Sequence, residues 1–299
     1  MTETGVLICG HGSRDEEAVR EFELLGAALR PRFPDYDFAT GYLEFARPNI
    51  RDGLAKLVAR GARRIYAVPG MLLAASHVKN DLPWEMNSFI AEHPGVDVRL
   101  GRDLAIDIKL INAAADRIAT AAPGNRSDSL LVVVGRGTND PDANSNISKI
   151  ARMLWEGLGF GWAEAAFSGV AQPRVDAALD RAARMGLRRI VVFPYFLFTG
   201  ILVKRIYTAT DDAARRHEDI EFVKAPYLRD HPLLLDAFVD RVAEIADGSP
   251  VMNCQLCKYR TQIVGYEHDA GAPQQAHHHH VRGGDGHRHH HHDHDHPHR

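Results

Sequence analysis

Two histidines and one glutamate, evenly spaced, carry the chemistry of this chain. His11 stands in Cys9-Gly10-His11-Gly12-Ser13-Arg14, Glu44 in Leu43-Glu44-Phe45-Ala46-Arg47-Pro48, and His77 closes Met71-Leu72-Leu73-Ala74-Ala75-Ser76-His77. Two imidazoles and a carboxylate suit a divalent first-row metal held by an incomplete shell, with positions left for a second ligand. Each residue also has a structural use: a polar loop residue at 11, a carboxylate paired with Arg14 or Arg47 at 44, a helix cap at 77. A duplication favours the metal. Leu7-Ile8-Cys9-Gly10-His11-Gly12-Ser13-Arg14-Asp15 has a partner 125 residues on, Val132-Val133-Val134-Gly135-Arg136-Gly137-Thr138-Asn139-Asp140. The same shift carries Pro48 onto Pro173, Gly61 onto Gly186 and Pro69 onto Pro194, but puts Arg136, Gly169 and Leu202 where His11, Glu44 and His77 stand. A repeated scaffold with one ligand set predicts one active site, built by the first half and roofed by the second.

The elements that must position these residues read as alternating strands and helices. Strands are expected at 6–9, 37–45, 64–68 and 97–100, and helices at 16–29, 50–59 (closed by Gly61) and 106–120. The second half repeats the order, with strands at 130–134, 162–170, 189–193 and 221–225 and helices at 147–158, 175–185, 203–216 and 232–246. The expected fold is α/β: two tandem similar domains, each a parallel sheet flanked by helices in flavodoxin- or Rossmann-like layering. Domains are expected at 1–122 and 129–247, with 248–299 a cysteine-bearing segment and a disordered His-rich tail. Ligands of open parallel sheets bind beyond the carboxyl ends of the strands. His11 follows the first strand, Glu44 ends the second and His77 follows the third, so one crevice should receive all three. Gly10 and Gly12 form no GxGxxG, which argues against a dinucleotide site.

Composition narrows the partners. The chain has 299 residues, with 36 Lys+Arg against 39 Asp+Glu, so no global charge points to nucleic acid. It carries no basic leader and no run of about 18 apolar residues, so no membrane partner is expected. Three cysteines make no disulfide framework, and a reducing, cytoplasmic setting is expected. Arg14, Arg47, Lys79, Arg136, Lys204 and Arg205 fall near the expected crevice, and Lys204 and Arg205 read as solvated. Arg136, in place of the first-half histidine, reads as a carboxylate binder that replaced a metal ligand.

Two tail features stand apart. Met252-Asn253-Cys254-Gln255-Leu256-Cys257 offers two thiolates that chelate a soft metal or one edge of an iron–sulfur cluster. His277, His278, His279, His280, His287, His289, His290, His291, His292, His294, His296 and His298 form a stretch that binds divalent metals with weak discrimination and reads as metal storage.

The three motifs, in order and continuing through Val78-Lys79-Asn80-Asp81-Leu82-Pro83, resemble the CbiX family of sirohydrochlorin cobaltochelatases. The resemblance covers about residues 5–247 as a tandem of two half-units. It implies a chelatase-like fold with the tetrapyrrole between the two domains, and insertion of Co²⁺ into sirohydrochlorin in anaerobic-type cobalamin synthesis. His11 and His77 would then bind the metal and accept the pyrrole protons, with Glu44 assisting. Ser13, Arg14, Arg47, Leu72, Leu73, Ala74, Ala75, Ser76 and Arg136 would line the macrocycle site. Long members of the family carry the MxCxxC with an iron–sulfur centre, which implies a cluster on Cys254 and Cys257. A cluster normally takes four ligands, so a homodimer shares it, histidines complete it, or the site holds another metal. Iron or nickel insertion into the same macrocycle is the near alternative, and a metal-storage or delivery protein working through its tail is the distant one.

Overall fold

The structure, a computed structural model, describes residues 3–249 and 256–275. The first unit runs β1 (Thr4–Gly10), α1 (Glu16–Leu29), β2 (Asp37–Tyr42), α2 (Ile50–Ala59), β3 (Arg64–Pro69), a π-helical turn (His77–Asp81) continuing into α3 (Leu82–Glu92), β4 (Asp97–Leu100) and α4 (Ile108–Ala121). The second runs β5 (Ser129–Gly135), α5 (Pro141–Leu158), β6 (Trp162–Phe167), α6 (Val175–Ala183), β7 (Arg189–Pro194), α7 (Ile201–Arg216), β8 (Glu221–Lys224) and α8 (Pro232–Ala246). Each unit holds a four-stranded parallel sheet, in the orders β2-β1-β3-β4 and β6-β5-β7-β8. No helix of the described residues is long and apolar enough to cross a membrane.

Local chemistry sets the boundaries. Asp15 caps α1 by accepting from the Glu17 N–H, and the buried Ala18, Phe22, Leu25 and Leu29 make the inward stripe. Asn49 and Asp52 form a reciprocal capping box on α2. α5 starts at Pro141, ahead of the expected 147, because Asp140 caps it and Pro141 needs no N–H there. The strands expected to reach 45 and 170 stop at Tyr42 and Phe167. Beyond them the Leu43 and Glu44 N–H groups turn back to the Gly10 and His11 carbonyls, and Ser168 and Gly169 do the same to Gly135 and Arg136. Phe45 (φ 65°) and Val170 (φ 57°) then take matching left-handed conformations. Between 77 and 92 the sequence reading placed only a helix start; α3 fills this stretch, burying Leu82, Met86 and Phe89.

Alternation along the strands separates three cores. Leu7, Cys9, Ile65 and Ala67 face an outer core under α2 and α3, and Val132, Val134, Ile190 and Val192 face its counterpart under α6 and α7. Val6, Ile8, Tyr66 and Val68 of one sheet and Leu131, Val133, Val191 and Phe193 of the other contribute to a single central core, together with α1, α4, α5 and α8. Helix α8 of the second unit packs on β3 of the first, and a side chain at Gly101 would meet Ile245 at 2.7 Å. Arg102 grips Glu244 through two hydrogen bonds of 2.9 and 2.7 Å, and the buried Arg241 bridges Glu244 and Asp107.

The segment after β4 fixes the loop after β3. Leu104 and Ala105 donate to the Met71 and Leu72 carbonyls at 3.0 and 2.7 Å, and the buried Asp103 carboxylate accepts from Ala74. Burial pushes the Asp103 carboxyl up to about 7, against the opposing pull of Arg102, the Ala74 N–H and Arg241. A carboxyl raised on folding binds its proton more tightly in the folded state. Its contribution is therefore fully present below the unfolded pKa and is lost as pH rises through about 7. Asp103→Asn removes this titration. It should gain stability relative to the parent, on the order of 2 kcal/mol, between pH 5 and pH 8 in denaturant melts; parallel pH profiles for the two proteins would contradict this account.

Candidate metal centre and cleft

The metal-type side chains come from three loops at the carboxyl edge of the first sheet. The loops after β1 and β2 are zipped together through Gly12, which has φ 92°. A Cβ there would sit 1.7 Å from the Glu44 carbonyl oxygen, so only glycine lets the two backbones approach this closely. The approach tucks Glu44 inward, 7% exposed, beneath His11. The third residue, His77, is carried by the π-helical turn, where the Val78 and Lys79 N–H groups both return to the Ala75 carbonyl.

The result is compact. His11 Nε2 lies 3.1 Å from His77 Nε2 and 3.3 Å from Glu44 Oε1, and His77 Nε2 lies 4.0 Å from the same oxygen. Among the described residues this is the one group of three or more His, Cys, Asp or Glu side chains able to hold a metal ion. Hydrogen bonds on the far side of each ring fix the tautomers. His11 Nδ1–H donates to the Gly12 carbonyl at 2.9 Å, and His77 Nδ1–H donates to Asp81 Oδ2 at 2.5 Å. Both Nε2 atoms then face one another, positioned to share a proton or to hold a cation between them. Burial, followed by His77 and Arg136, lowers the His11 pKa to about 4, outweighing the Gly12 carbonyl and Glu44. The ring is therefore neutral at physiological pH, with no proton to compete for its lone pair.

Beside these residues lies a cleft of about 560 Å³ between the units. Met71, Leu72 and Leu73 contribute one wall, and Phe196, Phe198 and Leu202 the other. Its polar side chains include Ser13, Thr138, Asn144, Thr199, Tyr42 and Tyr195, with Arg14 and Arg136 as the cations. The Arg14 guanidinium sits 4.8 Å from the centre of the Phe45 ring. Arg136 is exposed to the cleft, and the surrounding protein lowers its pKa from the usual guanidinium value against the pull of Glu44.

Of the residues expected to line the macrocycle site, Ser13, Arg14, Leu72, Leu73, Ala75 and Arg136 do line the cleft. Three of the expected residues do not line this cleft. Ala74 turns away, its methyl in the outer core with Met71 and Val78 while Asp103 holds its N–H. Ser76 is exposed at the start of the π-helical turn, and Arg47 is exposed outside the cleft because the left-handed turn at Phe45 directs that ring, not the arginine, toward His11. Lys79 is buried in an ion pair with Asp140 and Asp142, Lys204 pairs with Asp15 and Glu17, and Arg205 lines a separate depression with Arg174.

Asp81 escaped the sequence reading, although its spacing of four from His77 on a helical segment puts both on one face. Phe45 and the rim at Thr199 and Gly200 carried no comparable signal. Cys254 and the tail histidines lie outside the described residues. Cys257 is buried close enough to Lys79 to interact with its charge, and Cys9 is wholly buried on β1, where burial raises its thiol pKa far above normal. Residues 256–275 dock at the metal-type turn, where Asn80 Nδ2 donates to the Gln275 carbonyl at 3.0 Å and the Gln275 N–H returns to Asn80 Oδ1 at 3.1 Å.

Comparison with known proteins places this geometry. A family profile described as CbiX matches residues 5–121 and again 130–245. A sirohydrochlorin cobaltochelatase of Priestia megaterium is 36% identical over 267 residues, 87% of this chain and 85% of that protein. A sirohydrochlorin ferrochelatase of the same organism is 29% identical over 226 residues, 76% of this chain and 84% of that protein. The solved structure of SirB from Bacillus subtilis with Fe³⁺ superposes with a TM-score of 0.75 at 26% identity, covering 84% of this chain and 99% of that one.

The Asp81 contact gives a direct test. Asp81→Ala should weaken Co²⁺ binding by about tenfold in calorimetry, the scale of losing a carboxylate behind a ligating histidine. Asp81→Asn, which still accepts from Nδ1, should lose less; equal affinities in all three proteins would remove Asp81 from the site.

Proposed function

The chain belongs to the CbiX family, and from that premise we propose that it inserts a divalent metal, Co²⁺, into sirohydrochlorin. The observation that carries this reading is the pair of inward imidazole nitrogens 3.1 Å apart, with a buried carboxylate beside them, opening on an apolar cleft. The metal enters as a substrate, held by His11 Nε2, His77 Nε2 and Glu44. Only one of these ligands is anionic, and the lowered basicity of His11 weakens its grip, so four pyrrole nitrogens can take the metal over.

The macrocycle must lose two inner N–H protons as the metal enters. With a pKa of about 4, His11 is a poor base and serves chiefly as ligand. His77, whose Nδ1 is hydrogen-bonded to the Asp81 carboxylate, is the residue positioned to take a proton at Nε2. The flat faces of the ring rest between the Met71–Leu73 wall and the Phe196–Leu202 roof. Its carboxylates meet Arg14 and Arg136 at opposite sides, so the second unit contributes charge where the first contributes a metal ligand. An apolar slot with a few placed cations is what a flat, acid-fringed ligand requires.

Iron is the second reading, favoured by the 29% identity to a sirohydrochlorin ferrochelatase. His and Glu ligands accept first-row divalent metals with little discrimination, so rates must decide. Full-length protein mixed with sirohydrochlorin and Co²⁺, Fe²⁺ or Ni²⁺ separately should show fastest insertion, by absorbance, with Co²⁺. His11→Ala should slow it by a factor on the order of a hundred. Equal turnover by His11→Ala would sink the proposal, and faster Fe²⁺ insertion would transfer it to iron. Arg136→Ala should raise the macrocycle KM about tenfold, the worth of one charge-assisted hydrogen bond, without weakening Co²⁺ binding; an unchanged KM would remove Arg136 from substrate binding.

A further inference from the structure

The shift that relates the two units also relates two ion pairs between them. Lys79 Nζ of the first unit reaches Asp140 and Asp142 of the second at 2.7 and 3.4 Å. Its counterpart, Lys204 Nζ of the second unit, reaches Asp15 and Glu17 of the first at 2.8 and 3.1 Å. Lysine 79 plus 125 is lysine 204, and residues 15 and 17 plus 125 are residues 140 and 142. Each pair ties the helical segment that follows the third strand of one unit to the first helix of the other, on opposite sides of the cleft.

The environments of the two clamps differ. The Lys79 and Asp140 side chains are each 2% exposed, and residues 256–275 dock beside them. Asn80 and Gln275 exchange two hydrogen bonds there, and Cys257 and Lys258 lie within electrostatic reach of Lys79 and Asp140 respectively. Lys204 is 52% exposed and Glu17 60%. A buried pair resists separation because each charge left alone would stay desolvated, whereas an exposed pair is worth about 0–1 kcal/mol.

The backbone is unequal in the same sense. On the first unit, Ala75 sits in the helical turn that carries His77. Its counterpart is Gly200, at φ 142° and ψ −177°, a conformation open essentially to glycine alone. Gly200 lies over Ala18 of α1, and α7 begins just after it without a side-chain cap. The loop before it is held by the other unit. Glu21, one turn beyond Glu17 on α1, accepts from the Thr199 N–H at 2.7 Å and from the Tyr227 hydroxyl at 2.6 Å. The first-unit loop is instead held by Asp103 of its own unit.

We propose that residues 199–204 form a gate on one side of the cleft, latched to α1 by Lys204 with Asp15 and Glu17 and by Glu21 with Thr199, and pivoting at Gly200, while the buried Lys79 clamp beside residues 256–275 is the fixed side. The large shared core keeps the units together, so the opening is a local movement of the rim. Thr199, Gly200, Ile201, Leu202 and Val203 line the cleft, so lifting this rim widens the path to the metal-type residues from the second-unit side. That the gate admits the macrocycle rests on the chelatase reading; that it opens does not.

Hydrogen–deuterium exchange on the full chain without ligand tests the opening, and stopped-flow binding of sirohydrochlorin tests what passes through. In Lys204→Gln and in Glu21→Gln, amides of 199–204 should exchange roughly two- to five-fold faster, the range that an exposed pair supports. Amides of 77–81 should be unchanged, and macrocycle association should rise by a similar factor. Lys79→Gln should leave exchange at 199–204 as in the parent. Unaltered exchange at 199–204 in both latch variants, or equal acceleration by Lys79→Gln, would overturn the gate. Faster exchange with unaltered association would overturn its role as entrance. Absence of macrocycle binding by the parent itself would count against the chelatase reading, while faster exchange in the variants would still support the gate.

Discussion

The approach of two imidazole nitrogens to 3.1 Å is the constraint on which the rest of the site depends. Two imidazoles brought this close at Nε2 must share a proton or a cation. A carbonyl at Gly12 and a carboxylate at Asp81 hold the opposite nitrogens and aim the two Nε2 atoms at one point. The backbone serves the same end. Gly12 allows two loops to touch, and the touching loops bury Glu44 against the pair. The loop leading to His77 is pinned by the segment after β4, through Asp103, Leu104 and Ala105. A site that binds a cation by pre-set lone pairs loses little on binding to reorganisation of its own side chains.

The duplication shows which features belong to the scaffold and which to the chemistry. Gly12 and Gly137 share a left-handed φ and the same backbone-on-backbone approach, and Phe45 and Val170 share the left-handed turn that follows. These positions answer to sterics that both units face. His11, Glu44 and His77 answer to a ligand, and the second unit has an arginine, a glycine and a leucine there. Losing a second metal set makes sense for a flat ligand held between two units, since one face needs the reacting groups and the other needs a surface to press against. The crossing of α8 onto β3 joins the units through a common core, which keeps roof and floor in register without a long linker.

Most of the fold was legible because its signals are local. Strands of β-branched residues ending at glycine or proline, and helices opened by Asp15 or Asn49, announce themselves. The central trio was legible because the duplication supplied a comparison within one chain, and because topology brings the ends of parallel strands together. The failures were of another kind. Whether Ala74 or Ala75 faces the cleft depends on which carbonyl or carboxylate captures each N–H, and the captor of Ala74 is Asp103, 29 positions away in sequence. Lys79 read as a cation for the substrate because the spacing placed it near the crevice, and nothing nearby in the chain revealed that Asp140 and Asp142 would claim it. Asp81 was the avoidable omission, since a carboxylate four residues from a histidine on a helix is a local pattern.

On the proposed chelatase reading, a metal held loosely suits the reaction. A resident metal is held by a full shell whose ligands reinforce one another. Here His11 is pushed toward the neutral, weakly basic form by burial and by the neighbouring His77 and Arg136. Low basicity has two consequences that pull in the same direction for a transfer reaction. The ring needs no proton removed before it binds, and it donates less firmly once bound, so the barrier to handing the cation on is lower. On the proposed reading Arg136 has a double effect: it offers the roof a charge for an acidic substrate, and its field lowers the basicity of the nearest ligand. Had the second unit retained a histidine at that position, both effects would be absent, and the cation would face three imidazoles with less reason to leave.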